Sequence, residues 1–314
     1  MQKNNRAITY ESAKAFSTIP DNDIETLLEQ ANSLRIQYKQ NNVFTCGILN
    51  AKSGFCSQDC AFCAQSIHHQ TESETYPLFR KHIIVEQALA LEDAGASHFS
   101  IVTSGFMLDS HEMDTICHAL IEIKQRTDMA LCTSLGTITL QMAKQLKQSG
   151  VTNYHHNLET AQSYFDKICT THAYNDDIET IHLAKSVGLK VCCGGIMGLG
   201  ESWEQRIELA FLLKELNVDS IPINFLNPIP GTKLEKKPLM STTDALKCIA
   251  LFRMILPEKD IVVCGGREIT LKEKQSHLFF AGANGLMIGN YLTTPGQKIE
   301  TDLNMIQDLG LRIC

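Results

Sequence analysis

Along the middle of the chain the hydrophobic and polar positions repeat one phrase: an amphipathic stretch, a glycine or asparagine, then a short β-rich run. Apolar residues spaced by three and four turn one helix face toward a core, whereas short runs rich in Val, Ile and Tyr mark strands. Val85 to Ala94 carries the helical period, Gly95 ends it, and His98-Phe-Ser-Ile-Val102 follows. Thr139 to Ser149, closed by Gly150, leads into Val151-Thr-Asn-Tyr154. Asp177 to Val187 sets Ile178, Ile181, Ala184 and Val187 on one face and stops at Gly188, before Leu189-Lys-Val-Cys-Cys193. Arg206 to Leu216 with Asn217 precedes Asp219 to Asn224, and Leu278 to Ala281 with Gly282 precedes Gly285 to Ile288. Each Gly or Asn stands where a helix takes a left-handed residue to terminate.

Strands that alternate with helices imply a parallel sheet with right-handed crossovers. Eight strands are predicted, near residues 43–48, 98–103, 129–134, 152–157, 190–194, 219–225, 260–264 and 285–289. The fold class is α/β: a (β/α)8 TIM-type barrel over residues 41–314, in a single domain with an N-terminal helical extension over residues 1–40. An open doubly wound sheet is the alternative, but no strand is followed by the GxGxxG that would favour it. No linker, low-complexity segment or charge block divides the chain.

Composition narrows the classes. With 314 residues and 44% hydrophobic content the chain can bury a sizeable core, and its net charge of −7 argues against nucleic acid or an anionic membrane as partner. No apolar run approaches the roughly 18 to 20 residues of a membrane span, and the start, Met1-Gln-Lys-Asn-Asn-Arg-Ala, lacks a hydrophobic signal segment. A soluble cytoplasmic protein is expected. Twelve cysteines in that setting point to metal binding or catalysis rather than a disulfide framework. Cys117, Cys169 and Cys248 fall in helical patterns and read as small core residues, and Cys314 as a disordered terminus.

The chemistry-bearing feature is Ser53-Gly-Phe-Cys56-Ser-Gln-Asp-Cys60-Ala-Phe-Cys63-Ala-Gln-Ser, a CxxxCxxC loop just after the first strand. Three thiolates on a short loop can hold three irons of a cubane [4Fe–4S] cluster and leave one iron open for chemistry. Four thiolates would instead suit electron transfer or a structural zinc, and three thiols that merely lie close are the bland alternative. Cys46, ten residues upstream on a strand, is a poor fourth ligand for this loop.

In such barrels the active site forms at the C-terminal ends of the strands. There stand Thr103-Ser-Gly105, Cys132, His155-His-Asn157-Leu-Glu159, Cys192-Cys193, Asn224 with Asn227, and Cys264-Gly-Gly-Arg267-Glu268. Period-two alternation turns His155, Asn157 and Glu159 to one face and His156 to the other. Of Cys192 and Cys193 only one can face inward.

The loop resembles the cluster-binding loop of the radical S-adenosylmethionine (SAM) superfamily. Within it, Tyr154 to Thr160, Lys190 to Glu201, Ser220 to Asn224, Gly265 to Glu268, Ala281 to Asn284 and Leu292 to Pro295 are similar, in order, to segments of the biotin synthase family, from about residue 45 to 310. The resemblance implies a barrel enzyme that inserts sulfur into dethiobiotin to form the thiophane ring of biotin. It implies a [4Fe–4S] cluster on Cys56, Cys60 and Cys63 that binds SAM, an auxiliary iron–sulfur cluster as sulfur donor, a flavodoxin or ferredoxin-type electron donor, and a homodimer. Carried over by position, Phe62 lies against the SAM adenine, Glu159 near its ribose, and Asn157 and Asn224 bind the dethiobiotin ureido group. Cys132 and Cys192 match two auxiliary-cluster ligands.

The match breaks at that second cluster. The better-known form of the family holds [2Fe–2S] with three cysteines and an arginine; here one cysteine position is Ser100 and the arginine position is Val262. Cys264, two residues beyond Val262 and so on the same strand face, is the replacement. Cys132, Cys192 and Cys264 from strands three, five and seven then suit a [4Fe–4S] cubane with one iron open to a ligand such as sulfide. His172 stands where the family has an arginine close to the SAM carboxylate, and Arg267 is a second internal cation or the ion-pair partner of Glu268 or a neighbouring carboxylate. The competing readings are a related radical SAM enzyme of metallocofactor maturation or small-molecule modification, and a non-enzymatic iron–sulfur or zinc protein.

Overall fold

The computed structural model describes residues 8–314, so positions 1–7 of the expected N-terminal extension lie outside the described residues. Its helices are α1 (Tyr10–Ser17), α2 (Ile24–Lys39), α3 (Lys81–Asp93), α4 (Ser110–Arg126), α5 (Leu140–Gln148), α6 (Gln162–Phe165), α7 (Tyr174–Ser186), α8 (Trp203–Glu215), α9 (Thr242–Ile255), α10 (Arg267–Leu271), α11 (His277–Phe280) and α12 (Ile299–Asp308). Its strands are β1 (Asn42–Lys52), β2 (His98–Thr103), β3 (Ala130–Ser134), β4 (Asn153–His155), β5 (Lys190–Cys192), β6 (Gly195–Met197), β7 (Ser220–Phe225), β8 (Asp260–Val263), β9 (Gly285–Ile288) and β10 (Arg312–Ile313).

The strands run parallel in the order β1-β2-β3-β4-β5-β7-β8-β9, and β9 pairs back onto β1. That circuit closes a barrel of eight positions. The fifth is shared by β5 and β6: Cys192 stands opposite Ser220 and Gly195 opposite Ile223, so the register carries straight through the interruption. All eight predicted strands are present. The strand at the first position runs on to Lys52, past the expected 48, and carries the backbone into the cysteine loop.

Local chemistry explains the boundaries. Gly95, Gly150, Gly188, Gly282 and Asn217 all take the positive φ expected of a left-handed helix stop. Asp109 and Glu112 form a reciprocal capping box that starts α4. Phe99, Ile101, Leu131, Tyr154, Val191, Ile221, Ile261 and Leu286 point out of the strands and are buried under the helical ring. Of the N-terminal extension, Leu27 and Ala31 of α2 pack against Ala250 of α9.

Two readings of single cysteines are corrected. Cys169 is not helical but sits in the turn after α6, where it touches the cysteine loop (below). Cys314 continues the short pairing of β10 with β1: its N–H donates to the Val43 carbonyl at 2.9 Å.

Candidate active site

The three loop cysteines are held by a curled segment that leaves the end of β1. Gly54 and Phe55 both have positive φ, which turns the chain sharply before Cys56. Cys56 N–H donates to the Gln65 carbonyl at 3.1 Å and Ile67 N–H to the Cys56 carbonyl at 2.9 Å, which ties the two ends of the loop together. Cys63 N–H donates to the Cys60 carbonyl at 2.9 Å. Asp59 anchors the middle by accepting from Thr170 N–H and Thr170 Oγ1, each at 2.8 Å.

A cavity of about 330 Å³ runs along the inside of the barrel, from Phe44, His98 and Asp260 near the strand starts to Tyr291 and Leu292 beyond the strand ends. The loop contributes Phe62 and Cys63 to its wall, and the strands contribute His155, Asn157, Glu159, Asn224 and the thiols of Cys46, Cys132, Cys192 and Cys264. Tyr291, Leu292, Thr293 and Thr294 line it from the segment after β9, and Asn50 Nδ2 holds the Leu292 carbonyl at 2.9 Å. The expected alternation holds. His155, Asn157 and Glu159 face in, while His156 faces α7 and meets Asp177 at 2.9 Å. Cys192 faces the cavity and Cys193 belongs to the packed core.

Glu159 occupies an unusual backbone position, with φ of 61°. Its carbonyl accepts from Ile196 N–H at 2.8 Å, and Gly195 lies so close that an added Cβ would stand 2.3 Å from that oxygen. Burial, reinforced by the charge of Asp177, pushes the Glu159 carboxyl up to about 8. Asn157 Nδ2 donates to it at 3.3 Å. Burial also lowers His155 to about 4, so a neutral imidazole faces the cavity.

The cavity thiols are protonated without metal. Burial pushes Cys46 and Cys192 up to about 12 and Cys63 to about 11, and raises Cys132 and Cys264 well above the usual thiol range. A cluster's positive irons would supply the charge that makes thiolates stable there. Among the described residues no three His, Cys, Asp or Glu side chains converge tightly enough to share a single ion.

His172 does not line the cavity. Its Nδ1 meets Gln58 Oε1 at 2.9 Å and Cys169 Sγ at 3.2 Å, and its Nε2 meets Asp177 at 3.3 Å. Burial opposes its charge, but Asp177 and Cys169 outweigh burial and raise it to about 10. The imidazolium is therefore spent on the loop and α7. Arg267 likewise turns away, fully buried against Asp302 at 2.5 Å, with Glu268 at 3.5 Å.

Two thiols escaped the sequence reading. Cys169 Sγ lies 3.8 Å from Cys60 Sγ, and its hydrogen bonds with Cys60 and His172 lower it. Cys46, set apart from the loop on its spacing, lines the cavity with Cys132, Cys192 and Cys264. The signal was parity: strand one should offer an inward residue to the same layer as strands three, five and seven.

Residues 51–213 match the Radical SAM superfamily and residues 222–312 the Biotin and Thiamin Synthesis associated domain. The chain is 50% identical over 302 residues to a biotin synthase of Syntrophus aciditrophicus, covering 96% of this chain and 93% of that one. It is 48% identical over 306 residues to a biotin synthase of Citrifermentans bemidjiense, covering 98% and 93%. Among solved structures, methylornithine synthase superposes with a TM-score of 0.86 at 18% identity over 99% of this chain and 95% of that one. The [FeFe]-hydrogenase maturase HydG superposes with a TM-score of 0.84 at 17% identity, covering 98% and 72%. At such identities these two likenesses speak for the fold alone.

Proposed function

The chain belongs to the biotin synthase family of radical SAM enzymes, and on that premise we propose that it forms the thiophane ring of biotin by replacing two C–H bonds of dethiobiotin with C–S bonds. The observation that supports the reading is a shared cavity: Cys63 of the loop, the amides of Asn157 and Asn224, and the thiols of Cys132, Cys192 and Cys264 all line one space. Radical source, substrate grip and sulfur site would then meet without the substrate leaving the barrel.

Cys56, Cys60 and Cys63 would hold the [4Fe–4S] cluster with SAM, Phe62 would cover the adenine, and Glu159 would reach the ribose. When bound, cluster and SAM supply a carbon-centred radical that removes hydrogen; the chain's own task is binding, orientation and exclusion of competing reactions. A side-chain amide carries two donor hydrogens and an acceptor oxygen. Asn157 spends its oxygen on Gly194 N–H and Asn224 its oxygen on Gly265 N–H; beyond the bonds of their NH2 groups to Glu159 and the Gly195 carbonyl, each keeps a second donor hydrogen for an acceptor such as a urea carbonyl. His172 we assign to positioning the loop through Gln58, in place of a direct contact with the SAM carboxylate.

Cys132, Cys192 and Cys264 would hold the auxiliary cluster, a [4Fe–4S] cubane whose remaining iron takes a non-protein ligand such as sulfide. Neither an arginine nor a third family cysteine is available for the [2Fe–2S] form, since those positions are Val262 and Ser100. A flavodoxin or ferredoxin-type donor would reduce the loop cluster of a cytoplasmic homodimer.

Anaerobic reconstitution tests this: the protein should carry about eight irons per chain, four for each cubane. Dethiobiotin should stimulate 5′-deoxyadenosine release and yield biotin. About four irons, unchanged by Cys264→Ala, would remove the second cluster; unstimulated cleavage with no biotin would remove the substrate.

A further inference from the structure

The barrel brings one more thiol to the auxiliary site than three ligands require. In a tilted barrel, residues at one height are not hydrogen-bond partners; they are offset by about one residue per strand in the eight-stranded, shear-eight case. From Cys132 the ladder leads through Asn153 to Lys190, and two residues on is Cys192. From Cys192 it leads through Ser220 to Asp260, and two residues on is Val262. From Val262 it leads through Gly285 to Phe44, and two residues on is Cys46. From Cys46 it leads through His98 to Ala130, and two residues on is Cys132 again. The circuit closes. Cys46, Cys132, Cys192 and Val262 are the four side chains of one layer, contributed by alternate strand positions.

Val262 is the gap in that layer, and Cys264 fills it from one pleat above. Its Sγ turns back along the strand to the Val262 carbonyl, 3.7 Å away. Three thiols therefore lie at one height and the fourth nearer the strand end, a non-planar set of four such as the corners of a cubane require. Cys46 is not core filler. Cys193 and Cys248 belong to the packed hydrophobic core, whereas Cys46, like Cys132, Cys192 and Cys264, stands outside it on the cavity wall.

We propose that Cys46 is a fourth, exchangeable ligand of the auxiliary cluster, holding the iron that Cys132, Cys192 and Cys264 leave open and yielding it to incoming sulfide. This rests on the auxiliary-cluster reading above. In the exchange a hydrosulfide sulfur–iron bond forms, the Cys46 sulfur–iron bond breaks, and the hydrosulfide proton passes to the Cys46 thiolate. Nothing is oxidised or reduced. The apolar wall favours the neutral thiol once the iron is gone, and the cluster is never left with a bare iron after its sulfide has been donated.

The test uses reconstituted full-length protein, freed of excess sulfide, in the parent, Cys46→Ala and Cys46→Ser forms, with iron counted and hydroselenide titrated against the auxiliary-cluster EPR signal. All three forms should keep about eight irons, because three thiolates already hold a cubane. Selenide should bind Cys46→Ala at roughly tenfold lower concentration than the parent, since apparent affinity scales with the fraction of sites the competing thiolate leaves open, about one tenth. Equal midpoints at full iron content overturn the role of Cys46. Loss of the second set of irons from both variants, with the parent intact, makes Cys46 a permanent ligand and overturns the exchange. About four irons in the parent itself instead overturn the auxiliary cluster.

Discussion

Asn157 and Asn224 grip the same break in the barrel wall from opposite sides. Asn157 Oδ1 accepts from Gly194 N–H at 3.1 Å, and Asn224 Nδ2 donates to the Gly195 carbonyl at 3.4 Å. At this break Gly194 and Gly195, the latter the first residue of β6, are both glycine for a steric reason. A Cβ at Gly194 would lie 2.0 Å from the Pro222 carbonyl oxygen, and one at Gly195 would lie 2.3 Å from that of Glu159. Gly195→Ala should therefore cost about 1–3 kcal/mol, as overpacking does, and should weaken SAM and dethiobiotin binding together. Urea unfolding and ligand titrations of the same preparation check both.

Substrate binding should separate from radical generation at the two asparagines. Asn157→Ala and Asn224→Ala should each raise the dethiobiotin concentration for half-maximal 5′-deoxyadenosine release roughly tenfold, the value of about one lost hydrogen bond to a polar ligand. Cleavage of SAM without dethiobiotin should fall less than the dethiobiotin-stimulated rate, the more so for Asn224→Ala because Asn157 also donates to Glu159. An equal fall in both rates would place these residues outside the substrate grip.

Glu159 should make the metal-free protein less stable as pH rises. Its carboxyl is raised from 4.5 to about 8, burial being the main cause. Between those values the folded chain holds a proton that the unfolded chain has lost, so the contribution is full below 4.5 and declines as pH passes through about 8. Glu159→Gln should flatten that decline. Urea midpoints at about pH 6 and about pH 8.5 measure it, and parallel slopes for both proteins would exclude Glu159 as the titrating group.

Asp302→Ala should be among the more destabilising single changes outside the cavity. Arg267 and Asp302 are both fully buried and pair at 2.5 Å. Removing one partner strands the other charge, at about 3–5 kcal/mol. Asp302→Asn, which keeps a hydrogen-bond acceptor, should lose less, and denaturant midpoints rank the two.

Cys169 should be dispensable for the loop cluster despite its 3.8 Å contact with Cys60. Cys169→Ala should retain the loop irons, whereas Cys60→Ala should lose them with no rescue by Cys169. Iron analysis after reconstitution decides, and retention in Cys60→Ala would make Cys169 an alternate ligand.

The parts of this protein legible in one dimension are those whose physics is local. Gly95, Gly150, Gly188 and Gly282 stop helices by their own backbone conformation, so the helix–strand alternation could be read without any tertiary contact. The spacing of Cys56, Cys60 and Cys63 is a property of one loop. Period-two alternation likewise set His155, Asn157 and Glu159 on one face and His156 on the other. Side chains whose partners come from distant segments were not legible. His172 turns to Asp177 and Gln58, Arg267 to Asp302, and Cys169 to Cys60, each according to which group happens to be packed nearby.

By itself the sequence determined the alternation of helices and strands, the three-thiolate loop and which residues of a strand share a face, because these follow from local periodicity and spacing. Only the tertiary structure decided that Cys46 joins Cys132, Cys192 and Cys264 around one space. Height inside a closed barrel depends on register summed around the whole circuit, from Cys46 to Ala130, Lys190, Asp260 and back to Phe44, and no segment carries that sum alone.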